Sequence, residues 1–157
     1  MSETMYYHLQ TKPLEQALPQ LLAATLKRGW KAVVMTGEAG RVEALTEHLW
    51  SYEEDSFLPH GNTKDGNAEL QPIWFTDQDE NPNQAEVLFL VDSAESQNLN
   101  SYARVCRIFN GNDDHAVQQA RLAWKTENEA GRTLTYWQQT DQGAWTKKAD
   151  ANTKESP

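Results

Sequence analysis

Five short apolar runs in this sequence alternate with segments of helical periodicity. The runs are MYYHL (5–9), KAVVMTG (31–37), QPIWFT (71–76), EVLFLVD (86–92) and YARVCRIF (102–109). Such runs are typical of strands that are buried between layers of helices. Because strands alternate with helices along the chain, we predict an α/β fold, a Rossmann-like three-layer sandwich with a mostly parallel sheet.

Three segments have apolar residues at the spacing of a helix face. The first (13–29) begins with Pro13 and ends with Gly29, both favoured at those positions, and Pro19 inside it predicts a kink or an irregular first turn. The second is EAGRVEALTEHLW (38–50). The third is DDHAVQQARLAWKTENEAG (113–131), for which we predict Asp113 or Asp114 as N-cap and Gly131 as C-cap.

The last part of the chain is more polar. RTLTYWQQTDQGAWTKK (132–148) predicts one or two short extended segments, and ADANTKESP (149–157) has no apolar residue other than alanine. We therefore expect a single domain over residues 1–148 and a disordered tail over 149–157.

Charge limits the partners that this chain can bind. The formal net charge is −9 over 157 residues, which disfavours direct binding of DNA or RNA over a broad surface. The charge is uneven, because residues 38–69 contain eight acids and two bases whereas residues 101–157 contain seven acids and eight bases. An anionic partner is therefore expected on the C-terminal part.

Neither a signal segment nor a membrane span is evident. The opening MSETMYYHLQ lacks a charged and then apolar pattern, and no apolar run is long enough to cross a bilayer. The single cysteine, Cys106, cannot form an internal disulfide. These features predict a cytoplasmic protein.

The turn after the second predicted strand, TGEAGR (36–41), tests for nucleotide binding. A P-loop requires lysine and a hydroxyl residue after its second glycine, but Arg41 and Val42 follow Gly40. A dinucleotide fingerprint requires a third glycine where Glu43 stands. We therefore expect no nucleotide-binding loop, with Gly37 and Gly40 serving a tight turn.

Catalytic and metal-binding patterns are equally weak. The four histidines do not stand at metal-ligand spacing with one another or with Cys106, so neither a metal nor a cofactor is expected. His60 could act as a general base, although a loop histidine is more often a surface residue. Cys106 lies within a predicted strand, where a small buried side chain is the simpler interpretation. No intrinsic enzymatic activity is expected.

The first candidate binding surface is the segment LWSYEEDSFLPHGNTKDG (49–66). We call Trp50, Phe57, Leu58, Pro59 and His60 the aromatic segment, because they surround a run of acids and should lie together at one edge. Large aromatics rimmed by charge are typical of the centre of a protein interface. The alternative is that Trp50 and Phe57 form a small cluster packed under the loop.

The second candidate surface is on the third predicted helix. Arg121, Trp124 and Lys125 stand at i, i+3 and i+4, with Val117 one turn earlier. Two cations beside an indole suit an acidic peptide with an apolar end. The alternative, which spacing alone favours, is an ordinary exposed face with Trp124 packed against the sheet.

The blocks DSFLPHG, DG, QPIW and NQAEVLFLVD, in this order after LW, resemble the chi subunit of bacterial DNA polymerase III holoenzyme. The resemblance extends from MYYHL to GAWTKK. It implies a Rossmann-like fold without nucleotide chemistry, in a non-catalytic subunit of a DNA-directed DNA polymerase complex. It also implies two partners: a psi subunit, which tethers chi to the clamp loader, and the acidic, phenylalanine-ended tail of single-stranded DNA-binding protein.

The resemblance assigns a role to each candidate surface. Arg121, Trp124, Lys125 and Val117 correspond to the site that receives the tail, with Trp124 where relatives have tyrosine. The aromatic segment corresponds to the surface that faces psi and, in some bacteria, a helicase. DNA would then be contacted only indirectly. Two alternatives remain at this point, a repair adaptor that binds a helicase and a Rossmann-like enzyme that binds a nucleotide.

Overall fold

One mixed sheet organises the protein. The computed structural model describes residues 3–37, 41–46, 61–62, 67–92 and 94–152. Within these residues, the strands are β1 (Glu3–Leu9), β2 (Ala32–Met35), β3 (Ile73–Thr76), β4 (Val87–Leu90), β5 (Arg104–Asn110), β6 (Thr133–Gln139) and β7 (Trp145–Ala151). Their spatial order is β3-β2-β4-β5-β1-β6-β7, with every pairing parallel except that of β6 with β7. The predicted α/β fold with a mostly parallel sheet is confirmed.

Helices cover both faces of this sheet. α1 (Leu14–Lys27) and α2 (helical over residues 41–46) pack on one face, where Leu18, Leu22 and Leu45 join Val34 and Phe75 in the main core. α3 (Asp114–Glu129) packs on the other face through Ala120, against β1 and β6. The connection from β1 to β2 and the connection from β5 to β6 therefore place their helices on opposite sides of the sheet.

The ends of α3 follow from local chemistry. Asp113 is the N-cap, because its carboxylate accepts hydrogen bonds from the backbone N–H groups of His115 (3.0 Å) and Ala116 (3.4 Å). At the other end the C-cap is Ala130, and the predicted Gly131 follows it with φ of +84°, a conformation that glycine adopts without strain.

α1 continues through Pro19, which is buried inside the helix. One detail differs from the sequence-based expectations. The chain is ordered into strand beyond residue 148, because β7 runs to Ala151. β7 pairs with β6 on one side only and lies at an edge of the sheet. Because edge strands are often polar and charged, its sequence has no apolar pattern that would predict a strand.

Cys106 lies in β5 within the main core, as the sequence predicted, and burial raises the pKa of its thiol to about 12. Because the thiolate is the reactive form, we expect no reaction with Ellman's reagent in the folded protein at mildly alkaline pH. One thiol per chain should react once the protein is unfolded in guanidinium chloride. Rapid reaction of the native protein would contradict the buried position.

Candidate partner-binding site

The predicted basic and aromatic residues of α3 form one stripe. Val117 and Trp124 are half-buried, while Arg121 and Lys125 are exposed. Within the described part of the chain, neither Arg121 nor Lys125 forms a salt bridge. Among the described residues these two cations have no acidic partner, and they share a helix face with an indole on a chain whose net charge is −9.

Trp124 rests on two tyrosines of the sheet. Its ring meets Tyr6 of β1 edge-on at a centroid distance of 5.2 Å and Tyr136 of β6 edge-on at 6.0 Å. Tyr6 and Tyr136 are register partners in adjacent strands and stack at 6.3 Å. Edge-to-face contacts of this kind fix the indole in place. The sequence-based alternative, in which Trp124 packs against the sheet, is therefore correct for its inner side, and its outer side remains accessible.

Tyr6 and Tyr136 form an aromatic floor under Trp124. A histidine and a phenylalanine extend this floor toward the carboxyl ends of the strands. Nδ1 of His8 lies 2.6 Å from the Tyr136 hydroxyl oxygen, and both rings contact Phe109. Burial lowers the pKa of His8, and the positive charge of Arg121 lowers it further. Burial also raises the pKa of Tyr136, although Arg121 opposes this shift. At neutral pH both groups are therefore uncharged.

A buried carboxylate fastens α3 to the sheet beside this floor. Glu127 accepts hydrogen bonds from the hydroxyls of Thr4 (2.6 Å) and Tyr6 and from Nε of Arg107 (2.9 Å). Nε of Arg132 lies 3.4 Å from Oε1, the oxygen that also accepts from Thr4. Burial, followed by the bond to Glu127, raises the pKa of Tyr6 above its ordinary value, so its hydroxyl remains a donor.

The same network continues to the surface. Arg107 donates two hydrogen bonds to Glu95 (2.8 and 3.1 Å), and Arg132 donates to Asn100 (2.7 Å). Both guanidinium groups are thus fixed on two sides, which holds one turn of α3 at a defined height over β1 and β5. Tyr6 belongs both to this network and to the floor under Trp124.

The sequence analysis did not identify Tyr6, His8, Phe109 and Tyr136 as site residues. A partial signal was present, because Tyr6 and His8 are two apart in a predicted strand and must share one face. Tyr6 and His8 contact Tyr136 because of the parallel register of β1 with β6. That register cannot be read from the sequence of either strand alone.

The aromatic segment, Trp50, Phe57, Leu58, Pro59 and His60, lies outside the described residues. The described chain resumes at Gly61, which forms a parallel bridge with Trp74 of β3. The backbone N–H of Gly61 donates to Ile73 (3.0 Å), and that of Phe75 donates to Gly61 (2.9 Å). Residue 61 is therefore fixed at the β3 edge of the sheet, at the other end of the strand order from β6 and β7.

A crevice of about 630 Å³ lies beyond the carboxyl ends of β1 and β5, which is where open α/β sheets bind ligands. Glu15, Asp92 and Asp113 are among the residues that line it. Arg41 bridges the first two, at 2.7 Å from Glu15 and 2.8 Å from Asp92. A phosphate group would meet these three carboxylates against one lysine, Lys12, and a guanidinium that is already paired, which disfavours a nucleotide here.

Among the described residues, no three side chains of histidine, cysteine, aspartate or glutamate come together to hold a metal ion. None of the helices described is both long and apolar enough to span a bilayer.

Comparison with known proteins identifies the family. Residues 1–135 match the family model described as "DNA polymerase III chi subunit, HolC". The chain is also 31% identical over 108 residues to a protein of Rickettsia prowazekii (strain Madrid E) named "Probable DNA polymerase III subunit chi". That alignment covers 67% of this chain and just under two thirds, 66%, of the relative. On the extent of the family match, the chain belongs to the DNA polymerase III chi subunit family.

Proposed function

We propose that this chain is a non-catalytic accessory subunit of the clamp-loader assembly in the cytoplasm. It would link the DNA polymerase III holoenzyme, through a psi-type partner, to the C-terminal tail of single-stranded DNA-binding protein. Membership of the chi family supports the polymerase assignment. The tail and psi contacts are what the resemblance to chi implies, carried over to the residues of two surfaces of this chain.

The observation that carries the tail proposal is the pair of cations beside Trp124, neither of which forms a salt bridge with another described residue. Arg121 and Lys125 stand one helical turn apart on the exposed side of α3, and the half-buried indole lies between them in sequence. A terminal carboxylate and nearby aspartates would bind the cations, and a terminal aromatic side chain would lie against Trp124 and Val117.

Local charge makes this compatible with an acidic protein. The net charge is −9, but at physiological ionic strength charges beyond about 8 Å are largely screened. A tail carboxylate on α3 would respond mainly to Arg121 and Lys125. Recognition of coated DNA through its coat protein also removes the need for a surface that binds phosphates directly.

We further propose that the aromatic segment, Trp50, Phe57, Leu58, Pro59 and His60, contacts the psi-type partner. Gly61 supports this proposal, because it directly follows that segment in sequence and pairs with β3 at the edge of the sheet. The edge lies away from α3, which packs over β1, β5 and β6. The two partners could then bind simultaneously without competing for one surface.

A fluorescence-anisotropy titration tests the tail proposal. The probe is a labelled peptide that copies the C-terminal end of the host single-stranded DNA-binding protein, and the matched control lacks only its final phenylalanine. We expect saturable micromolar binding that requires the phenylalanine and weakens at higher salt. Absence of binding at low and high salt would overturn tail capture.

Recovery of native complexes tests the second contact. A tagged chain should copurify with clamp-loader subunits, and Trp50→Ala should remove them while leaving peptide binding unchanged. Recovery of a helicase in place of clamp-loader subunits would instead support the repair-adaptor alternative.

A further inference from the structure

His8 and Tyr136 meet beneath the Arg121 side of the candidate site. The Nδ1 to hydroxyl distance of 2.6 Å is that of a good hydrogen bond. Phe109 packs edge-on to both rings. On the remaining side His8 is confined by Gly111, where a Cβ would lie 1.9 Å from Nε2. The histidine therefore has little freedom to turn away from Tyr136.

Protonation of His8 decides which way the hydrogen bond runs. Neutral His8 can accept a hydrogen bond at Nδ1, and the Tyr136 hydroxyl is then the donor to the imidazole. Protonated His8 is a donor at both nitrogens, so Nδ1–H donates to the Tyr136 oxygen and the hydroxyl hydrogen is free to point elsewhere. An anion bound by Arg121 could then accept a hydrogen bond from this hydroxyl.

We propose that Tyr136 and His8 are further binding residues of the tail site: Tyr136 donates a hydrogen bond to a carboxylate of the captured peptide while protonated His8 donates to Tyr136. Capture of the acidic peptide is thereby coupled to uptake of one proton. This inference rests on the proposed function, since it concerns the same peptide on the same face of α3.

The surroundings of His8 determine the sign of the coupling. Arg121 of α3 is the charged group that acts on it, Tyr136 of β6 is the titratable one, and β5 with its following turn contributes Phe109 and Gly111, which carry no charge. In the free protein, burial and Arg121 hold the pKa of His8 below its ordinary value. A carboxylate on Arg121 offsets that positive charge and raises the pKa of His8 in the complex.

Affinity for the peptide should therefore rise as pH falls through the pKa of His8 in the complex, and should level off below its pKa in the free protein. Aspartate, glutamate and terminal carboxyl groups of the peptide titrate near pH 4, so they stay ionised over this range. A peptide that merely lost charge at low pH would show the opposite trend.

The test is the same labelled peptide, ending in phenylalanine, titrated into the full chain near pH 7.5 and near pH 5.5 at constant ionic strength. We expect binding to be about three- to tenfold tighter at the lower pH. The glutamine of His8→Gln cannot take up a proton, so the dissociation constant of this variant should change by less than about twofold between the two pH values. Other histidines, including the exposed His115, are unchanged in that variant.

A hydroxyl deletion provides the second variant. Tyr136→Phe keeps the ring that supports Trp124 but removes the donor, so it should weaken binding near pH 5.5 roughly three- to tenfold. The matched control is Tyr7→Phe, because the Tyr7 hydroxyl lies on the other face of β1 and contacts Met5 (3.6 Å). That control should bind like the parent at both pH values.

The outcomes separate this inference from the proposed function. Tight binding that is equal at the two pH values, or a pH dependence that survives in His8→Gln, would overturn proton-coupled capture and leave tail capture standing. No binding by the parent chain at either pH would overturn both. An NMR titration of the His8 ring offers an independent readout, since its pKa must rise when the peptide is added.

Discussion

Replacement of Glu127 by alanine is expected to destabilise the fold by about 3–5 kcal/mol, because it removes the buried carboxylate that pairs with Arg132 and with one side of the Arg107 guanidinium. Side-chain exposure is 6% for Glu127, 11% for Arg107 and 9% for Arg132. The hydroxyls of Thr4 and Tyr6 also lose their acceptor. Few single changes on this face remove so many partners at once.

Urea denaturation followed by circular dichroism measures this loss. The matched control is Glu129→Ala, which removes an exposed acid two residues later on the same helix and should change the free energy of unfolding by less than about 0.5 kcal/mol. Glu127→Gln should also destabilise, since the amide preserves shape but not charge. A Glu127→Ala chain as stable as the control would mean that the network contributes little to holding α3.

Arg121→Ala is expected to weaken binding of the tail peptide by roughly 1.5–3 kcal/mol, the cost of losing a charge-assisted hydrogen bond. This corresponds to a ten- to hundredfold rise, or slightly more, in the dissociation constant. Stability should be nearly unchanged, because Arg121 is exposed and its charge is not used in a salt bridge within the described part of the chain.

The same anisotropy titration measures the Arg121 effect. Lys27→Ala is its control, because it removes one exposed positive charge from the end of α1, on the opposite face of the sheet. If binding responds only to net charge, both variants should weaken it slightly and equally. If Arg121 contacts the peptide, its replacement should have much the larger effect and should also reduce the salt dependence. An unchanged dissociation constant would move the site elsewhere.

Much of the fold follows from local pattern. Apolar runs such as AVVM and VLFL are buried on both faces of the sheet and were recognisable as strands. Asp113 and the glycine after α3 marked the ends of that helix. The order of the strands could not be predicted from local pattern, since the position of β1 between β5 and β6 is set by long-range pairing. β7 was partly missed, because an edge strand with lysines and an aspartate carries no apolar alternation.

The candidate site was only half visible in the sequence. Helical spacing brought Arg121, Trp124 and Lys125 together, because neighbours on a helix surface are fixed by its period. The floor beneath them required the register of two parallel strands. Glu127 gave no signal at all, since a glutamate near the end of a helix is ordinarily exposed and only its partners from β1, β5 and the turn before β6 explain its burial.

The central place of β1 affects how a newly made chain can fold. Glu3 of β1 binds Arg104 of β5, 101 positions away in sequence, and β6 is made later still. At a synthesis rate of roughly 5–20 residues per second, β1 leaves the ribosome several seconds before either partner strand exists. During that interval Tyr6, Tyr7 and Leu9, which end up buried, are exposed to chaperones and to other nascent chains. The half of the sheet under α3 is therefore expected to form last, so that the proposed tail site would be complete only when translation has passed β6.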